Sequence, residues 1–388
     1  MRVLFAGSKI QEIPSIIFAL DRMGHEVACY PKPMEDVEGD EEQEKKLESF
    51  LKKYKVDFVL SNIFTSAVAR ITNRLGMKYA IWCMDSPTYS TWVPDSRLDN
   101  CYLFYFDYKE CQLQKQNGHS NVYHLPLAAD IAWGEELVIT DEEIKKYRCD
   151  MSFVGGLYTQ NIYDKCIERF SVGAQNAFSD ILEGSAFLWD GQDRLHLSSE
   201  LVHTVHQVCP EIFDNQYEID DEYFLRTLFL GRKLSNVERT LLMELLAERY
   251  DINLYTRAIE NVPEGVKRFP EVNAGTDALK VFYSSKINLN ITLRSIASGI
   301  PARVFDVMSV GGFVLSNWQE EIPELFKEGE EIVTFKTPEE LIEKADYYLK
   351  HENERIRVGI NGYQKVKENY TYEQQIGKII SILFPNSK

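Results

Sequence analysis

The chain has 388 residues, of which 43 are Lys or Arg and 60 are Asp or Glu, so its formal net charge is −17 at pH 7. A chain of this length can bury about 75% of its unfolded surface, and about 150 residues per domain predicts two domains or more, which excludes a single small binding module. The acidic balance argues against a nucleic-acid binder that follows the phosphate backbone, because such proteins carry a net basic face.

In the first third of the chain, short apolar runs alternate with stretches of helical periodicity. The predicted strands are RVLFAG, HEVACY, VDFVLSN, YAIWCM, YLFYFDY and NVYHLPLA. Helical patterns such as IPSIIFALDRMG and AVARITNRLG lie between them. Buried strands that alternate with helices predict a parallel sheet covered on both faces. Residues 1–130 are therefore predicted to form a Rossmann-like domain.

The rest of the chain predicts a second domain of the same class. The polar stretch 131–148 is the predicted hinge, and the strand MSFVGG opens the domain at 149–371. Residues from about 160 to 230 have mainly helical patterns and predict an insertion. Alternation resumes with the strands INLYT, INLNIT and FVLSN. The predicted fold class is α/β, with two Rossmann-like domains that face each other across a cleft and a helical insertion in the second.

Nothing in the sequence predicts a membrane protein or a secreted one. The apolar runs stay well below the roughly 18 residues needed to cross a bilayer, and Met1 leads directly into a strand pattern. The seven cysteines are scattered without a C-x-x-C pair, which favours reduced thiols. We therefore expect a cytoplasmic protein without a transmembrane segment.

Two strand ends in the first domain carry candidate residues. Gly7 and Ser8 follow the first strand, but the G-x-G-x-x-G fingerprint is absent, which disfavours NAD and FAD. Gly7 either forms a tight turn or lets the backbone approach a ligand. Asp85 follows the strand YAIWCM and is either part of an Asp-Ser-Pro turn or a functional group, as a general base or a ligand of an acceptor hydroxyl.

The segment 286–317 is the richest in candidate residues. A strand leads into a loop with Arg294, Gly299 and Pro301, and a helix with Arg303 and Asp306 follows. Free amide groups at the helix start and the arginines together predict an anion site suited to a diphosphate. Asp306 is placed to accept hydrogen bonds from both ribose hydroxyls. The alternative is that Arg303 and Asp306, three residues apart, form only a surface ion pair.

The sequence offers little support for a metal site. His196, His203, His206 and Cys209 have an H-x-x-H-x-x-C spacing on a predicted helix, but no fourth ligand is evident. An Asp-x-Asp pair at a strand end, which could hold a divalent cation on a diphosphate, is also absent. We expect no metal and no cofactor.

The run IPARVFDVMSVGG resembles the donor-binding segment of GT-B glycosyltransferases, and more narrowly of the spore-maturation CgeB-like group. The segments YAIWCMDSP, YLFYFDYKECQLQKQNGHSNVYHLPLAAD, DMSFVGGLY and NGYQKVKENYTYEQQI resemble the same group in order and spacing. The resemblance covers most of the chain outside the helical insertion. It implies a metal-independent hexosyltransferase-like enzyme whose second domain binds a nucleotide-sugar, with an acceptor held by the first domain and residues 372–388 returning to it.

The resemblance also assigns candidate roles to individual residues. Asp85 is the catalytic candidate, and Gly7 and Ser8 lie on the acceptor side. The donor-binding candidates are Gly156, Tyr158, Tyr255, Asn290, Arg294, Gly299, Arg303, Asp306, Gly311 and Gly312. Tyr255 is expected after the strand that flanks the base. One departure is Ser298, which stands where many retaining enzymes of this fold have a second acidic residue, so retention and inversion both remain open.

These observations and the resemblance predict a glycosyltransferase that moves a sugar from a nucleoside diphosphate sugar to an acceptor hydroxyl on a protein or a cell-surface glycan. The resemblance alone implies uridine as the base. Two alternatives stay open. One is an epimerase or hydrolase of the same fold that acts on nucleotide-sugars. The other is a binding protein for sugar nucleotides or glycans that keeps the fold without the chemistry.

Overall fold

The structure is a computed structural model that describes residues 1–7, 13–30, 37–213, 217–257, 261–273 and 275–386. The packing of Cα atoms divides the chain into two compact units. The first contains the described residues within 1–130, 216–218 and 369–388, and the second contains those within 131–215 and 219–368. In the described residues, no helix combines the length and the apolar character needed to cross a membrane.

The strands of the described residues form two sheets. In chain order they are β1 (Arg2–Phe5), β2 (Glu26–Cys29), β3 (Phe58–Ser61), β4 (Lys78–Cys83), β5 (Cys101–Tyr105), β6 (Val122–His124), β7 (Met151–Val154), β8 (Ile252–Thr256), β9 (Lys267–Pro270), β10 (Ile287–Asn290), β11 (Val314–Asn317) and β12 (Val333–Phe335). The first sheet has the order β2-β1-β3-β4-β5-β6, and the second has the order β12-β11-β10-β7-β8-β9.

The helices of the described residues connect and cover these strands. They are α1 (Ile13–Arg22), α2 (Glu41–Tyr54), α3 (Ser66–Arg74), α4 (Tyr108–Gln116), α5 (Ile131–Glu136), α6 (Asp141–Tyr147), α7 (Ile162–Cys166), α8 (Val172–Glu183), α9 (Ser199–Val208), α10 (Asp221–Phe224), α11 (Gly231–Ala247), α12 (Asp277–Ser284), α13 (Ala302–Ser309), α14 (Ile322–Leu325), α15 (Pro338–Lys350), α16 (Glu352–Asn369) and α17 (Tyr372–Leu383).

Both sheets are parallel throughout, which confirms the predicted α/β fold class with two Rossmann-like domains. Every residue of β3, β8, β10 and β11 is buried, as expected for strands with helices on both faces. The strand order reverses direction at β1 and β3 in the first sheet and at β7 and β10 in the second. The carboxyl ends of strands at such reversals are where α/β sheets bind ligands.

The predicted hinge, residues 131–148, lies inside the second unit. The stretch forms α5 and α6, and Lys280 of α12 pairs with Glu143 of α6 at 2.6 Å. The acidic residues that gave this stretch its polar appearance stabilise α6 instead. Thr140 caps the helix by accepting from the Glu143 N–H, and the Glu143 carboxylate accepts from the Thr140 N–H. The boundary between the units therefore lies at residue 130, before the predicted hinge.

The predicted helical insertion is confirmed between β7 and β8. It consists of α7 to α10 and a π-helical turn at Leu225–Leu230 that leads into α11. A separate core of buried aromatic and aliphatic side chains holds it together, including Phe170, Phe178 and Phe229. His206 pairs with Asp221 at 2.6 Å, and Cys209 is buried in this core. In the part of the chain that the structure describes, no three His, Cys, Asp or Glu side chains are grouped to hold a metal ion.

The last helix, α17, packs into the first unit. Its first residue, Tyr372, makes an edge contact with the buried Trp82 of β4 at a ring-centre distance of 5.6 Å. Gln375 donates to the Pro126 carbonyl at 2.7 Å, and Glu373 pairs with Arg22 of α1 at 2.6 Å. The first core is therefore completed by residues that are distant in sequence.

Candidate active site

The turn after β7 brings the backbone against an arginine of α13. Gly155 has a φ of +149°, and a Cβ on this residue would lie 2.7 Å from Nη2 of Arg303. Glycine is the residue that permits so close an approach without strain. Tyr158 follows with a left-handed φ of +58°, and its ring centre lies 5.2 Å from the guanidinium carbon of Arg239.

Arg303 carries a positive charge that no described carboxylate contacts. Within the described residues, its guanidinium makes no hydrogen bond or salt bridge and packs on the face of Phe153, 5.3 Å from the ring centre. Burial and then the charge of Arg239 lower the pKa of Arg303 to about 10, although Asp306 acts in the opposite direction. The site therefore holds two neighbouring cations, a state that an anion would stabilise.

Arg239 of α11 is the second cation, and sequence reasoning missed it. Its Nη1 donates to the Gly156 carbonyl at 2.6 Å and its Nε to the Ile291 carbonyl at 3.1 Å. Its guanidinium carbon also lies 5.3 Å from the centre of the Phe153 ring. A signal was present, because Arg239 falls on the apolar face of α11 at helical spacing from Leu242, Met243 and Leu246.

The N-terminus of α13 adds hydrogen-bond donors to the same place. Its N-cap is Pro301, which has no side-chain acceptor for the first-turn N–H groups. Arg303 is the second residue of this eight-residue helix, and the helix dipole places partial positive charge at this end. The turn after β7, two guanidinium groups and a helix N-terminus thus meet where the strand order reverses. Such an arrangement can bind a diphosphate.

Asp306 lies one helical turn after Arg303 on α13. Its side chain is partly buried, and its charge raises the pKa of Arg303, so the two groups are close. Residues three apart on a helix share a face. The Asp306 carboxylate therefore lies beside the cationic site, where its predicted role as a ribose ligand remains a prediction.

Arg294 has other partners inside the protein. Its Nε donates to the Glu238 carboxylate at 2.9 Å, and its Nη1 donates to the Leu188 carbonyl at 2.9 Å. The Glu238 side chain is fully buried, so the guanidinium neutralises a charge that would be costly to leave alone. The sequence could not reveal this partner, which lies 56 positions away. We leave Arg294 out of the donor site proposed below.

Three further donor candidates are buried in the second unit. Asn290 ends β10 and is 1% exposed, and its Oδ1 has no hydrogen-bond partner among the described residues. Gly299 is buried in the loop before α13. Tyr255 differs from expectation, because it lies within β8 and not after it, and its buried ring stacks on Phe269 at 5.0 Å. A side chain in the core is poorly placed to flank a base.

Gly311 and Gly312 are separated from the other donor candidates. They follow the carboxyl end of α13 and precede β11, whereas Gly155 and Arg303 lie at the carboxyl ends of the strands. Gly311 has a φ of +71°, and a Cβ on Gly312 would lie 2.8 Å from Cγ1 of Val307. Their conformations end the helix and allow tight packing. This pair is therefore also left out of the proposed donor site.

Ser298 is close to a carboxylate that the sequence did not associate with it. Its hydroxyl donates to Oε1 of Glu321 at 2.7 Å, and the Glu321 N–H donates to the Ser298 carbonyl at 3.3 Å. Both residues are buried. Reciprocal bonds thus join the loop before α13 to the turn after β11.

On the first unit, the acceptor-side candidates follow β1 and β4. A Cβ on Gly7 would lie 2.3 Å from Cε1 of Phe5 and 2.8 Å from Oδ1 of Asn62, which follows β3, so a larger residue would displace these side chains. Ser8 lies outside the described residues. Asp85 is exposed after β4, and its carbonyl accepts from the Thr88 hydroxyl at 2.6 Å. Its carboxylate is accessible for the predicted role.

A buried carboxyl group lies beneath this turn and was also missed. Oε1 of Glu110, in α4, accepts from the Thr88 N–H at 2.6 Å, and Glu110 is 3% exposed. The Ser86 hydroxyl donates to Oδ2 of Asp107, the N-cap residue of α4, at 3.0 Å. No local sequence pattern marks Glu110, because its importance arises from the approach of α4 to the turn after β4.

Comparison with solved structures identifies similar folds. A glycosyltransferase from Rickettsia africae ESF-5 has 10% identity and a TM-score of 0.51, and the match covers 100% of this chain and 99% of that one. Anabaena Alr3699/HepE in complex with UDP has 10% identity and a TM-score of 0.51, with coverages of 98% and 100%. AviGT4, a glycosyltransferase involved in avilamycin A biosynthesis, has 12% identity and a TM-score of 0.50, with coverages of 98% and 96%.

A search of curated proteins finds none that matches the chain. A model of one protein family, described as glycosyl transferase-like, matches residues 232–381. This range begins at α11 and includes Arg239, Arg303 and Asp306. At these identities the solved structures establish the fold alone. The chain thus has the GT-B glycosyltransferase fold, and its C-terminal region is similar to the glycosyl transferase-like family.

Proposed function

We propose that the protein is a glycosyltransferase that moves a hexose from a nucleoside diphosphate sugar to an acceptor hydroxyl on a protein or a cell-surface glycan. The observation that carries the proposal is Arg303, a half-buried cation beside Arg239 that contacts no carboxylate among the described residues. A diphosphate would supply the missing negative charge. UDP is the proposed nucleotide, supported by the complex of the Anabaena protein with UDP.

The same groups explain how bond cleavage would be assisted. Charge develops on the diphosphate as its bond to the sugar breaks, and Arg303, Arg239 and the first N–H groups of α13 would stabilise that charge. Because these groups are already cationic, we further propose that the reaction needs no metal ion. A UDP-induced rise in melting temperature should then be unchanged by EDTA.

Asp85 is the proposed acceptor-side base. It would take the proton of the attacking hydroxyl, as an inverting reaction requires. A retaining reaction could instead use the leaving diphosphate as the proton acceptor. The anomeric configuration of the product, read by NMR, distinguishes the two. Asp85→Asn should remove at least 99% of the turnover of an inverting enzyme and leave nucleotide binding intact.

The first test is a thermal-shift panel of UDP, GDP, TDP, CDP and NAD on the wild type and on Asp306→Ala. A ligand that binds only the folded state raises the melting temperature, by an amount that corresponds to about 2.7 kcal/mol at 100 times the dissociation constant. We expect a shift with UDP that Asp306→Ala reduces strongly. No shift with any nucleoside diphosphate would contradict the donor site.

Product analysis with and without an acceptor distinguishes the proposed function from its alternatives. An epimerase or hydrolase consumes the nucleotide-sugar without an acceptor, whereas a transferase needs one for a glycosylated product. Binding without turnover across an acceptor panel would favour a non-catalytic binding protein.

Two finer assignments belong to the proposal. Membership in the CgeB-like group is supported by the RVFDVMSVGG segment and by the order of the motifs quoted above. A cytoplasmic location is supported by the seven cysteines, all of which are free thiols.

A further inference from the structure

A carboxyl group without solvent or a counter-ion lies beneath the Asp85 turn. Glu110 is 3% exposed and makes no salt bridge within the described residues. One oxygen, Oε1, accepts from the Thr88 N–H at 2.6 Å. The other, Oε2, is buried and has no hydrogen-bond partner among the described residues. A buried carboxylate in this state is costly unless it is protonated.

The groups that face Glu110 make ionisation less favourable. Asp107 is fully buried at the start of the same helix, and its Oδ1 accepts from the N–H groups of Lys109 and Glu110. Asp85 adds a second negative charge from the turn after β4. The thiol of Cys83 on β4 and the phenol of Tyr105 on β5 also lie near Glu110.

These surroundings keep Glu110 neutral at physiological pH. Burial first, and then the charges of Asp107 and Asp85, raise the pKa of Glu110 to about 8, although the hydrogen bond from the Thr88 N–H acts in the opposite direction. Burial also raises the pKa of Cys83 and of Tyr105, so both stay neutral.

We propose that Glu110 is a positioning residue for Asp85, because its carboxyl group joins α4 to the Thr88 backbone and so fixes the turn that carries the Asp85 side chain. The proposal rests on the proposed function, in which Asp85 acts on the acceptor. Glu110 itself does not touch substrate. A second contact supports the same geometry, since the Ser86 hydroxyl of the turn donates to Oδ2 of Asp107 at the start of α4 at 3.0 Å.

The arrangement makes the turn sensitive to alkaline pH. While protonated, Glu110 accepts the Thr88 N–H without adding charge. Once it ionises, the buried carboxylate lacks the solvation that water would give it and is repelled by Asp107 and Asp85, so an opening of the turn that hydrates it becomes more favourable. We therefore expect the turn that carries Asp85 to loosen progressively as the pH rises towards about 8.

Hydrogen exchange of the full chain, without ligand, tests this directly. Protection factors of the amides of Asp85, Ser86 and Thr88 to Thr91, corrected for the intrinsic pH dependence of exchange, are compared between pH 6 and pH 9. In the wild type we expect at least a tenfold loss of protection between pH 7 and pH 9. Glu110→Gln imitates the protonated carboxyl group and should keep the protection at every pH.

Two further variants serve as controls for this experiment. Glu110→Ala removes the hydrogen bond and should lower protection at least tenfold even at pH 6. Glu41→Gln changes an exposed carboxylate, 91% accessible on α2, and should behave as the wild type. Identical pH profiles for the wild type and Glu110→Gln would overturn the proposal, as would full protection in Glu110→Ala that melts like the wild type.

The proposed function is tested separately in the same samples. UDP should raise the melting temperature of the wild type and of Glu110→Gln equally, because its site lies in the second unit. If the exchange results follow expectation but UDP has no effect, the donor proposal fails and the tie between Glu110 and the turn stands. If UDP binds but Glu110→Gln exchanges like the wild type at pH 9, the positioning proposal fails alone.

Discussion

Replacement of Arg303 by Met should stabilise the empty protein. The site lowers the pKa of Arg303 from 12.5 to about 10. Because pH 7 lies below both values, the guanidinium is charged in the folded and the unfolded protein. The folded state therefore carries the whole cost of burying that charge, about 3 kcal/mol at about 1.4 kcal/mol per pKa unit. Loss of the cation–π contact with Phe153 removes about 1 kcal/mol of favourable interaction energy. Arg303→Met should therefore raise the free energy of unfolding by about 2 kcal/mol. For a unit of this size, that corresponds to roughly 4–8 °C in melting temperature.

Arg294→Met is the matched control, because the two arginines lie nine positions apart and differ in their partners. Arg294 neutralises the fully buried Glu238, so its loss leaves a buried charge alone and should cost about 3–5 kcal/mol. The same substitution should thus stabilise the protein at one position and destabilise it at the other. Thermal and urea unfolding at pH 7, with and without UDP, measure both effects.

Nucleotide binding supplies the second half of the test. The free energy of unfolding of the wild type should rise by about 2.7 kcal/mol at a UDP concentration of 100 times the dissociation constant, whereas that of Arg303→Met should hardly change. An empty Arg303→Met protein that is less stable than the wild type would refute the argument that Arg303 is an uncompensated cation. A retained response to UDP would refute its role in the donor site.

The remaining predictions concern three other contacts. Gly155→Ala should destabilise the protein and abolish the response to UDP in a thermal-shift assay, because its Cβ would lie 2.7 Å from Arg303 Nη2. Ser298→Ala should lower the free energy of unfolding by about 1–3 kcal/mol in urea, because it removes a donor from the buried Glu321 carboxylate; Ser298→Thr, which keeps the hydroxyl, is its control. For Glu110, the pKa is raised from 4.5 to about 8, so its stabilising effect is complete below pH 4.5 and is lost as pH rises to 8. In urea unfolding, the free energy of unfolding of Glu110→Gln should rise relative to that of the wild type over this pH interval, by up to about 4–5 kcal/mol. A difference between the two proteins that does not change with pH would contradict the raised pKa.

Much of the fold was predictable because buried parallel strands are nearly continuous apolar runs. β3, β4 and β8 stand out in this way, and so do the helices between them. β9 was missed because it is a mostly exposed edge strand, and its KRFP sequence has no apolar pattern. β12 was missed because it has three residues. Short or exposed edge strands form mainly because a neighbouring strand offers hydrogen bonds, which a linear pattern does not record.

The site was less predictable because its residues come from separate elements. Arg303 and Asp306 could be found since both lie in one compact segment. Arg239 stood out on the apolar face of α11 and Glu110 did not, but the role of neither could be assigned, because each acquires it from a strand or turn many positions away. Arg294 illustrates the converse error, since an arginine in a promising loop is indistinguishable by sequence from one that neutralises a buried glutamate.

The packing of α17 affects the order of folding during synthesis. Tyr372 and Gln375 contact Trp82 and the Pro126 carbonyl, so the first unit lacks part of its core until the ribosome has passed residue 383. At 5–20 residues per second, the nascent first unit waits roughly 13–50 s after residue 130 is made. During that time the surface that α17 will cover is exposed to solvent. Chaperones that bind apolar segments should therefore associate with nascent chains that end between residues 130 and 370.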